Sequence, residues 1–468
     1  MKSKLIFITV QTCPACIVQR EVLRRVLPEF PDIEVVNYDR DDDAEKIKMF
    51  DVRSVPFLAL GDKILSGAHT LDETRRFLRG EFSDADIEAA IKKEHYLDNA
   101  ATTRVCEEAA QAASKAMLET YGNPSSTHLA GRNARKLLEE SRGKIASALG
   151  AKPSEIVFTS CGSESDNWAL IKGAELMKRK GKHIISSAIE HDAVRKTLDL
   201  LEHDGYEITR LNPDSTGRIT PEAVADALKE DTILISLMMV NNETGAVTDI
   251  AAISRLLKQK KSQALLHTDA VQGFMKVPFK AKNLGADMIS ISGHKIHAPK
   301  GIGALYIREG LNLKPFIVGG SQENERRAGT ESMPLIAAFA AASEAAVRDF
   351  EKNTAYMQAC KDEIIERLSA AIPELVYIKT DAPHILSISL PGFRSEVVMN
   401  FLEGRGVYIS KSSACKRGAR SHVLGAIGMS ARQIDGALRI GISRMTTAED
   451  IDALCEGIIE AHKMLAHD

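Results

Sequence analysis

The stretch Met288-Ile289-Ser290-Ile291-Ser292-Gly293-His294-Lys295 decides the fold of most of this chain. Its apolar start is typical of a short buried strand that ends in a Ser-Gly turn. A lysine held just past a strand end can be partly desolvated, which makes its amine nucleophilic enough for a Schiff base. Lys295 is therefore a candidate for covalent chemistry. The alternative for this residue taken alone is a buried lysine in an ion pair.

A second apolar run, Ala264–Asp269, ends in an aspartate that precedes Lys295 by 26 residues. Asp269 at such a strand end could pair with a protonated pyridine nitrogen, although a strand-terminal Asp in a turn is the simpler alternative. A Schiff-base lysine and a pyridinium partner are what pyridoxal phosphate requires, because the protonated ring is an electron sink. Together the two residues predict a pyridoxal phosphate site.

A possible phosphate site lies in Thr159-Ser160-Cys161-Gly162-Ser163-Glu164, which follows the apolar run Ile156–Phe158 and precedes a helical pattern. A Gly-Ser turn at a helix start offers free backbone N–H groups, a hydroxyl donor and the positive end of the helix dipole. Gly162 and Ser163 are therefore candidates for phosphate binding. An ordinary serine-capped helix start is the alternative.

Four motifs occur in the order found in one enzyme family: Tyr96–Thr103, Tyr121–Ser126, Val240–Gly245 and Ser292–Lys295. With them the chain resembles the NifS/IscS-type cysteine desulfurases, which are class V, fold-type I pyridoxal phosphate enzymes. The resemblance covers about residues 95 to 468, roughly four fifths of the chain.

The resemblance implies a role for each candidate residue. Lys295 would carry the Schiff base, and Asp269 would hold the pyridinium nitrogen. The other implied cofactor contacts are Asn242 and Gln272 near the ring hydroxyl, His191 on the ring face, and Gly162, Ser163, Ser292 and His294 at the phosphate. His191 would also serve as an acid–base helper, whereas a lone loop histidine is more often simply solvated.

Two further residues are assigned by the same resemblance. Thr330 corresponds to a threonine that reaches the phosphate of the neighbouring subunit's cofactor, which implies a homodimer with shared active sites. Arg439 corresponds to the arginine that binds the substrate α-carboxylate, for which a planar guanidinium fork is well suited. The alternative for Arg439 is an ordinary surface arginine at a strand end.

Cys415 lies in the polar, basic stretch Ser410–His422, which has no helical or strand period and therefore predicts a mobile surface loop. The nearby cations would favour the thiolate, which is the reactive form; they are Lys411, Lys416, Arg417 and Arg420. The stretch is similar to the desulfurase Ser-Ala-Cys loop, except that Ser412 stands where glycine is common. The resemblance implies that Cys415 takes the sulfur of L-cysteine as a persulfide and that L-alanine is released.

The first eighty residues predict a separate redox domain. The apolar run Leu5–Val10 is followed by Cys13-Pro14-Ala15-Cys16 and a helical pattern, which places Cys13 at a helix N-terminus. The X-Pro bond at Val55-Pro56 is typically cis in thioredoxin-like folds. The segment resembles a glutaredoxin or thioredoxin domain. A two-cysteine zinc half-site is the alternative, but neither a second CxxC nor paired histidines accompany it.

Composition and length support several domains in one chain. The 468 residues, 44% of them hydrophobic, exceed one domain, and a net charge of −3 disfavours a general nucleic-acid or membrane-surface binder. We expect no signal peptide, no membrane helix and no metal site. Seven cysteines with a CxxC predict a reducing cytoplasm.

The predicted architecture is α/β, with an N-terminal thioredoxin-like fold fused to a fold-type I transferase domain. We expect the redox domain at 1–80, a helical linker at 81–95 and the desulfurase domain at 96–468. Within the last, a large cofactor-binding subdomain with a mostly parallel sheet would span about 110–350. A smaller α+β subdomain would span about 351–468, after a long alanine-rich helix from Leu335 to Phe350.

Three functions remain open at this point. A cysteine desulfurase that passes sulfur to a thiol acceptor is favoured, and one hypothesis is that Cys13 attacks the Cys415 persulfide and Cys16 resolves the product. A selenocysteine lyase or another β-eliminating enzyme would use the same scaffold. A sulfur-relay or scaffold partner is the third. Iron–sulfur assembly, tRNA thiolation and cofactor synthesis could all receive the sulfur.

Overall fold

The computed structural model describes residues 3–11, 13–50, 52, 54–84, 94–378, 380–412 and 420–465. Two sequence predictions fall outside these ranges. The central part of the expected helical linker, 85–93, is one of them, and the stretch 413–419 with Cys415 is the other. None of the helices in the described ranges combines the length and apolar character needed to cross a bilayer.

The N-terminal unit is a four-stranded sheet in the order β2-β1-β3-β4. Its strands are β1 Ser3–Thr9, β2 Ile33–Asp39, β3 Phe57–Leu60 and β4 Lys63–Ser66. Its helices are α1 Pro14–Val26, α2 Ala44–Ile47 and α3 Leu71–Leu78, with a 3₁₀ turn at Leu27–Glu29. Strand β1 runs parallel to β2 and antiparallel to β3, in the register Phe7 to Leu58.

The boundaries of this unit follow from its packing. The buried face of β1 and the inner face of α1 form one core that also contains Phe77 and Phe82. Asp84 accepts hydrogen bonds from the backbone and hydroxyl of Ser66. The packed unit therefore extends to residue 84, four residues beyond the predicted boundary. The Val55–Pro56 bond is cis, as expected from the sequence.

The central sheet has seven strands in the order β6-β12-β11-β10-β9-β7-β8. They are β6 Ile156–Thr159, β7 His183–Ser187, β8 Glu207–Leu211, β9 Thr232–Ser236, β10 Leu265–Asp269, β11 Met288–Ser292 and β12 Gly303–Ile307. Only β12 runs antiparallel to its neighbours among these strands. The prediction of a mostly parallel sheet is confirmed, and because helices cover it, strands such as β11 are buried on both faces.

The helices of this large subdomain alternate with its strands. They are α4 Glu107–Glu119, α5 Leu129–Leu149, α6 Gly162–Met177, α7 Asp192–His203, α8 Pro221–Ala227, α9 Ile250–Gln259, α10 Ala281–Leu284 and α11 Met333–Arg348. Short 3₁₀ turns occupy Pro153–Glu155, Gly293–Lys295 and Gln322–Glu325.

The small subdomain is built on an antiparallel sheet in the order β13-β14-β17-β16. Its strands are β13 Val376–Ile378, β14 Ile385–Ser389, β16 Ser410–Lys411 and β17 Ala437–Gly441. Its helices are α12 Phe350–Ala371, α13 Ser395–Glu403, α14 His422–Ala426, α15 Ala431–Asp435 and α16 Ala448–Met464. The predicted helix Leu335–Phe350 proves to be α11, which ends at Arg348 just before the separate helix α12.

A short segment after the linker joins the two subdomains. Strand β5 (His95–Tyr96) pairs in parallel with β15 (Val407–Tyr408), and Leu97 packs in the core of the small subdomain. Asp98 then bridges to Gly441 in β17. The approach is so close that a Cβ on Gly441 would lie 2.5 Å from the backbone nitrogen of Ala100. Glycine is therefore required at position 441.

Candidate active site

A cavity of 490 Å³ lies where the carboxyl ends of the parallel strands meet. Ligands of open α/β sheets bind in this position. The side chains and backbone that line it come from the ends of β6, β7, β9, β10 and β11, and from the small subdomain. Its predicted site residues are Gly162, Ser163, His191, Asn242, Asp269, Gln272, Ser292, His294, Lys295 and Arg439. The structure thus brings together ten residues selected from the sequence.

Lys295 follows β11 in a single 3₁₀ turn and points its amine into the cavity. Its Nζ donates to the backbone carbonyls of Ala100 and Ala101, each at 2.7 Å. Burial, with a smaller contribution from the charge of Arg439, lowers the pKa of Lys295 to about 8. An amine with such a pKa is available as a nucleophile near neutral pH.

Asp269 ends β10 and is almost fully buried. Its Oδ1 accepts a hydrogen bond from the backbone of Val271 at 2.9 Å, which fixes the carboxylate orientation. Burial raises the pKa of Asp269, and the charges of His191 and Lys295 oppose that rise. A cationic ring nitrogen in the cavity would stabilise the ionised carboxylate in the same way.

Two further buried carboxyl groups, Asp166 and Glu190, line the same cavity. Oδ1 of Asp166 and Oε2 of Glu190 have no hydrogen-bond partner among the described residues. Burial raises the pKa of Asp166 well above its usual range and that of Glu190 to about 8. The protonated form of Glu190 is therefore favoured at neutral pH, and burial acts on Asp166 in the same direction.

The predicted phosphate site forms at the N-terminus of α6. Gly162 is the first helical residue, so backbone N–H groups and the helix dipole point toward the cavity. A Cβ on Gly162 would lie 2.6 Å from a methyl group of Val271, so only glycine fits here. The buried hydroxyl of Ser292 has no partner among the described residues. This orphaned hydroxyl and the helix start are well suited to an anion.

The residues that the sequence predicts around the cofactor ring or its phosphate are held by hydrogen bonds or by burial. His191 is the N-cap of α7, and its Nδ1 accepts from the backbone of Ala193 at 3.1 Å. The Gln272 amide donates to the carbonyl of Ala100 at 2.8 Å. Burial lowers the pKa of His294 to about 4, which favours a neutral imidazole.

Arg439 lies on β17 with only 3% of its surface exposed. Its guanidinium donates to Asp98 Oδ1 at 3.0 Å, to the hydroxyl of Ser410 at 2.8 Å and to the carbonyl of Asn242 at 3.0 Å. Its Nε has no partner among the described residues, although it is buried. Arg439 is therefore a cation fixed at the cavity wall and able to bind a carboxylate. The sequence-based alternative of a surface arginine is wrong.

The ends of the predicted mobile loop are ordered, which corrects part of the expectation for Ser410–His422. Residues 410–411 form β16, Ser412 is buried, and Ser421 caps α14. Two of the four predicted cations are also neutralised, since Lys411 pairs with Glu396 at 3.1 Å and Arg420 pairs with Asp435 at 2.7 Å. Arg420, Ser421 and His422, which follow the stretch 413–419 in the sequence, line the cavity.

Thr330 does not line the cavity of its own chain and is exposed. The segment before it is anchored, because Arg327 pairs with Glu164 in the first turn of α6 at 2.9 Å. The free cysteines Cys106, Cys360 and Cys455 are buried, and burial raises the pKa of each. A raised pKa disfavours the thiolate, so these buried thiols are unreactive in the folded protein.

The residues lining the cavity fit pyridoxal phosphate. The unpartnered Ser292 hydroxyl and the α6 N-terminus suit its phosphate, and Asp269 suits its ring nitrogen. Lys295 supplies the amine that would bind it covalently. No group of three or more potential metal ligands occurs among the described residues.

The sequence reasoning assigned no role to Asp166, Glu190 and Glu243, which line the cavity, or to Asp98, which pairs with Arg439 at its wall. Asp98 and Glu243 stand inside the quoted motifs, beside Asn99 and Asn242, and that position was the available signal. Glu243 accepts from the Ser421 hydroxyl at 2.5 Å, and burial raises its pKa to about 7. No pattern in the sequence distinguished the other two from ordinary helix and turn residues.

The part of the chain that contains the cavity matches a known protein family. The aminotransferase class-V family matches residues 95–454. The chain is 41% identical over 371 residues to the cysteine desulfurase IscS of Methanosarcina thermophila, covering 78% of this chain and 91% of that protein. It is 37% identical over 364 residues to the cysteine desulfurase NifS of Azotobacter vinelandii, covering 76% and 90%.

Solved structures of similar proteins superpose on most of this chain. A NifS-like protein superposes with a TM-score of 0.76 at 36% identity, covering 80% of this chain and 100% of that one. SspA in complex with cysteine superposes with a TM-score of 0.66 at 34% identity, covering 76% and 100%. The family match begins at residue 95, so it concerns the part of the chain that contains the cavity.

Proposed function

This chain belongs to the cysteine desulfurases of the class-V aminotransferase family, and from that premise we propose how its residues convert L-cysteine to L-alanine. The observation that carries the proposal is that Lys295 and Arg439 converge on one cavity with Asp269. An amine, a carboxylate-binding fork and a pyridinium partner are the groups needed to process an α-amino acid.

Pyridoxal phosphate, when bound, supplies an electron sink for the carbon that loses a proton. Lys295 then acts as the base, because its lowered pKa of about 8 leaves a much larger fraction of neutral amine near neutral pH than an ordinary lysine has. The carbonyls of Ala100 and Ala101 orient this amine toward the cavity. His191, the N-cap of α7, would hold one face of the ring and assist proton transfer.

Arg439 binds the substrate α-carboxylate in this proposal. Its guanidinium is buried and immobilised before substrate arrives, so little side-chain entropy is lost on binding. The similarity to a structure of SspA in complex with cysteine supports cysteine as the amino acid accepted.

Cys415 is the proposed nucleophile that removes the sulfur. Its stretch, 413–419, is bounded by Ser412 and Arg420, and Arg420 with its successors lines the cavity. The thiolate attacks the substrate sulfur, the carbon–sulfur bond breaks, and Cys415 keeps the sulfur as a persulfide. A thiol acceptor outside the cavity then receives it.

A homodimer completes the site in this proposal. Thr330 is exposed outside its own cavity, as expected for a residue that serves a neighbouring one. Large apolar side chains on α4 and the segment leading into α5 are exposed too: Met117, Leu118, Tyr121 and Leu129. Exposed apolar side chains grouped in this way are typical of a subunit interface.

The N-terminal unit is proposed to be a thioredoxin-like domain. The parallel β1–β2 pair, the antiparallel β3–β4 pair and the capped CxxC helix support this assignment. A protein with a thiol-handling domain and a persulfide site fits sulfur delivery to thiol acceptors in a reducing compartment such as the cytoplasm.

Single-turnover reaction with L-cysteine tests the function. Wild-type protein should form one persulfide and one alanine for each active site, whereas Lys295→Ala should form neither and lose the absorbance of the bound cofactor. Cys415→Ser should keep that absorbance and respond spectrally to cysteine, yet produce neither persulfide nor alanine. Alanine formation by Cys415→Ser at the wild-type rate would show that simple elimination or another thiol does the work.

A further inference from the structure

The Cys13–Cys16 pair has the geometry of an asymmetric dithiol. Cys13 is the N-cap of α1, and its sulfur accepts from the backbone N–H of Cys16 at 3.3 Å. This contact holds the Cys13 sulfur at the start of the helix, where Cys13 is partly exposed. Cys16 is 2% exposed, and burial raises its pKa to about 12. Cys13 is therefore the attacking thiol, and Cys16 can react only with a partner already attached to Cys13.

The same helix contacts the small subdomain. Val18 on α1 is partly buried against the apolar core of that subdomain and not against the core of its own unit. Helix α1 packs on α13, Ser395–Glu403. Because a helix rises 1.5 Å per residue, Val18 lies only about 7.5 Å along the axis from Cys13. The contact therefore fixes the position of the dithiol.

A charged contact reinforces this interface. Arg405 stacks on the ring of Phe401 in α13 and pairs with Glu460 at 3.1 Å. Its guanidinium also lies 3.9 Å from Glu73, the third residue of α3. Glu73 is held in turn by Thr70, whose backbone donates to it at 2.9 Å. Among the described residues, the N-terminal unit meets the small subdomain through an apolar contact at Val18 and an ionic contact at Arg405.

The helix that α1 contacts also supports the strand leading to Cys415. Glu396 in α13 pairs with Lys411 in β16, and Ser412 follows directly. The helix α13 therefore contacts both the dithiol helix α1 and the strand β16. Cys415 follows Ser412 by three positions in the sequence.

We propose that the docked Cys13–Cys16 dithiol accepts sulfur from the persulfide formed on the same chain and releases it as hydrosulfide. This inference rests on the proposed function. The Cys13 thiolate attacks the outer sulfur of the Cys415 persulfide, a sulfur–sulfur bond forms at Cys13, and the Cys415 thiolate leaves. Cys16 then gives up its proton and attacks Cys13, which forms the Cys13–Cys16 disulfide and expels hydrosulfide.

The electrons of this sequence balance. The transferred sulfur gains two electrons on becoming hydrosulfide, and the two thiols supply them on forming the disulfide. One turnover needs no other reductant. Repeated turnover needs an external dithiol to reduce Cys13–Cys16. Docking matters because two sites on one chain reach an effective concentration of ~mM only when the geometry lets them meet.

The experiment follows radioactive sulfur from labelled cysteine through one turnover of the full-length holoenzyme. The interface variants are Val18→Glu on one side and Arg405→Gln on the other. The matched controls are Met49→Glu, which adds the same charge at an exposed apolar residue of the same unit, and Glu460→Gln, which leaves the Arg405–Glu73 contact in place. Alanine formed in excess dithiothreitol measures the desulfurase reaction by itself.

The expected result is hydrosulfide release that is about tenfold slower in both interface variants, with control variants and alanine formation unchanged. Cys16→Ser should accumulate label on Cys13, at a rate independent of protein concentration. Wild-type clearance of label in both interface variants would overturn the inference while leaving the desulfurase intact. Absence of alanine in excess dithiothreitol would overturn the proposed function and this inference with it.

Discussion

Arg439 and Asp98 form an ion pair in which Nη2 lies 3.0 Å from Oδ1, and the arginine is almost completely buried. The pair joins two residues that are 341 positions apart in the sequence. Asp98 compensates the arginine charge before substrate binds, and it therefore competes with the substrate carboxylate for the same guanidinium.

Asp98→Asn should strengthen binding of amino-acid carboxylates, because the guanidinium would then lack its charged partner. The same change should lower the melting temperature of the ligand-free protein, since a buried charge is left without compensation. Titration with L-alanine, followed by cofactor absorbance, gives the dissociation constant. Weaker alanine binding by Asp98→Asn would show that Asp98 orients Arg439 and does not compete for it.

Lys295 should bind the cofactor with a pH dependence set by its lowered pKa. The neutral amine becomes the major form as pH rises through about 8, whereas an unperturbed lysine needs a pH near 10.5. Reconstitution of apoprotein with pyridoxal phosphate should therefore accelerate from pH 6 to 8 and then level off. Borohydride trapping and peptide mapping locate the modified lysine, with Lys295→Ala as the control. Continued acceleration up to pH 10 would contradict the lowered pKa.

Glu190→Gln should change how stability depends on pH. The pKa of Glu190 is about 8 in the folded protein and near 4.5 when unfolded, so the folded state alone keeps the proton between these values. The contribution of Glu190 to the free energy of unfolding is fully present below pH 4.5 and is lost as pH rises toward 8. The variant lacks that loss, and its melting temperature should exceed the wild-type value by a few degrees at pH 8 but not at pH 5. An equal difference in melting temperature between variant and wild type at pH 5 and at pH 8 would show that Glu190 is ionised at both pH values.

Glu323→Gln should destabilise the large subdomain strongly. Arg142 forms a two-bond pair with Glu323 at 2.7 and 2.8 Å, and both side chains are at least 96% buried. Removing one partner of such a pair costs about 3–5 kcal/mol. Denaturant unfolding of Glu323→Gln measures the loss, and Lys144→Gln, which removes an exposed pair with Glu344, is the control. A loss below about 1 kcal/mol would show that water replaces the missing contact.

The sequence was most informative where chemistry follows directly from a strand. Lys295 and Asp269 come directly after or at the end of apolar runs, and parallel strands bring such ends to one edge. Arg439 and the motif residues were found through family resemblance, and their convergence on one cavity is a property of the fold. Asp98 was named in a motif but received no role. Its partner, Arg439, is 341 positions away in the sequence, and only the folded chain brings the two side chains together.

The stretch Ser410–His422 shows why some local structure at the site could not be predicted from the sequence. Its polar composition predicts a loop, yet Ser410 and Lys411 pair with β17, and Ser412 packs beside the hydroxyl of Ser387 at 3.4 Å. Tertiary packing overrides local propensity in such short edge strands. The buried carboxyl groups Asp166 and Glu190 were missed for a related reason, since burial is decided by elements distant in sequence.

Residues 95–101 have a consequence for how the chain can be divided. Within seven residues, this segment adds a strand beside β15, supplies Asp98 to Arg439 and supplies two carbonyls to Lys295. It begins one residue after Glu94, next to the linker. A protease cut within 85–93 should therefore yield a catalytic fragment that still makes alanine, whereas a fragment starting at residue 102 should lose it. The point at which the N-terminal unit can be removed and the point at which removal destroys the active site are therefore about ten residues apart.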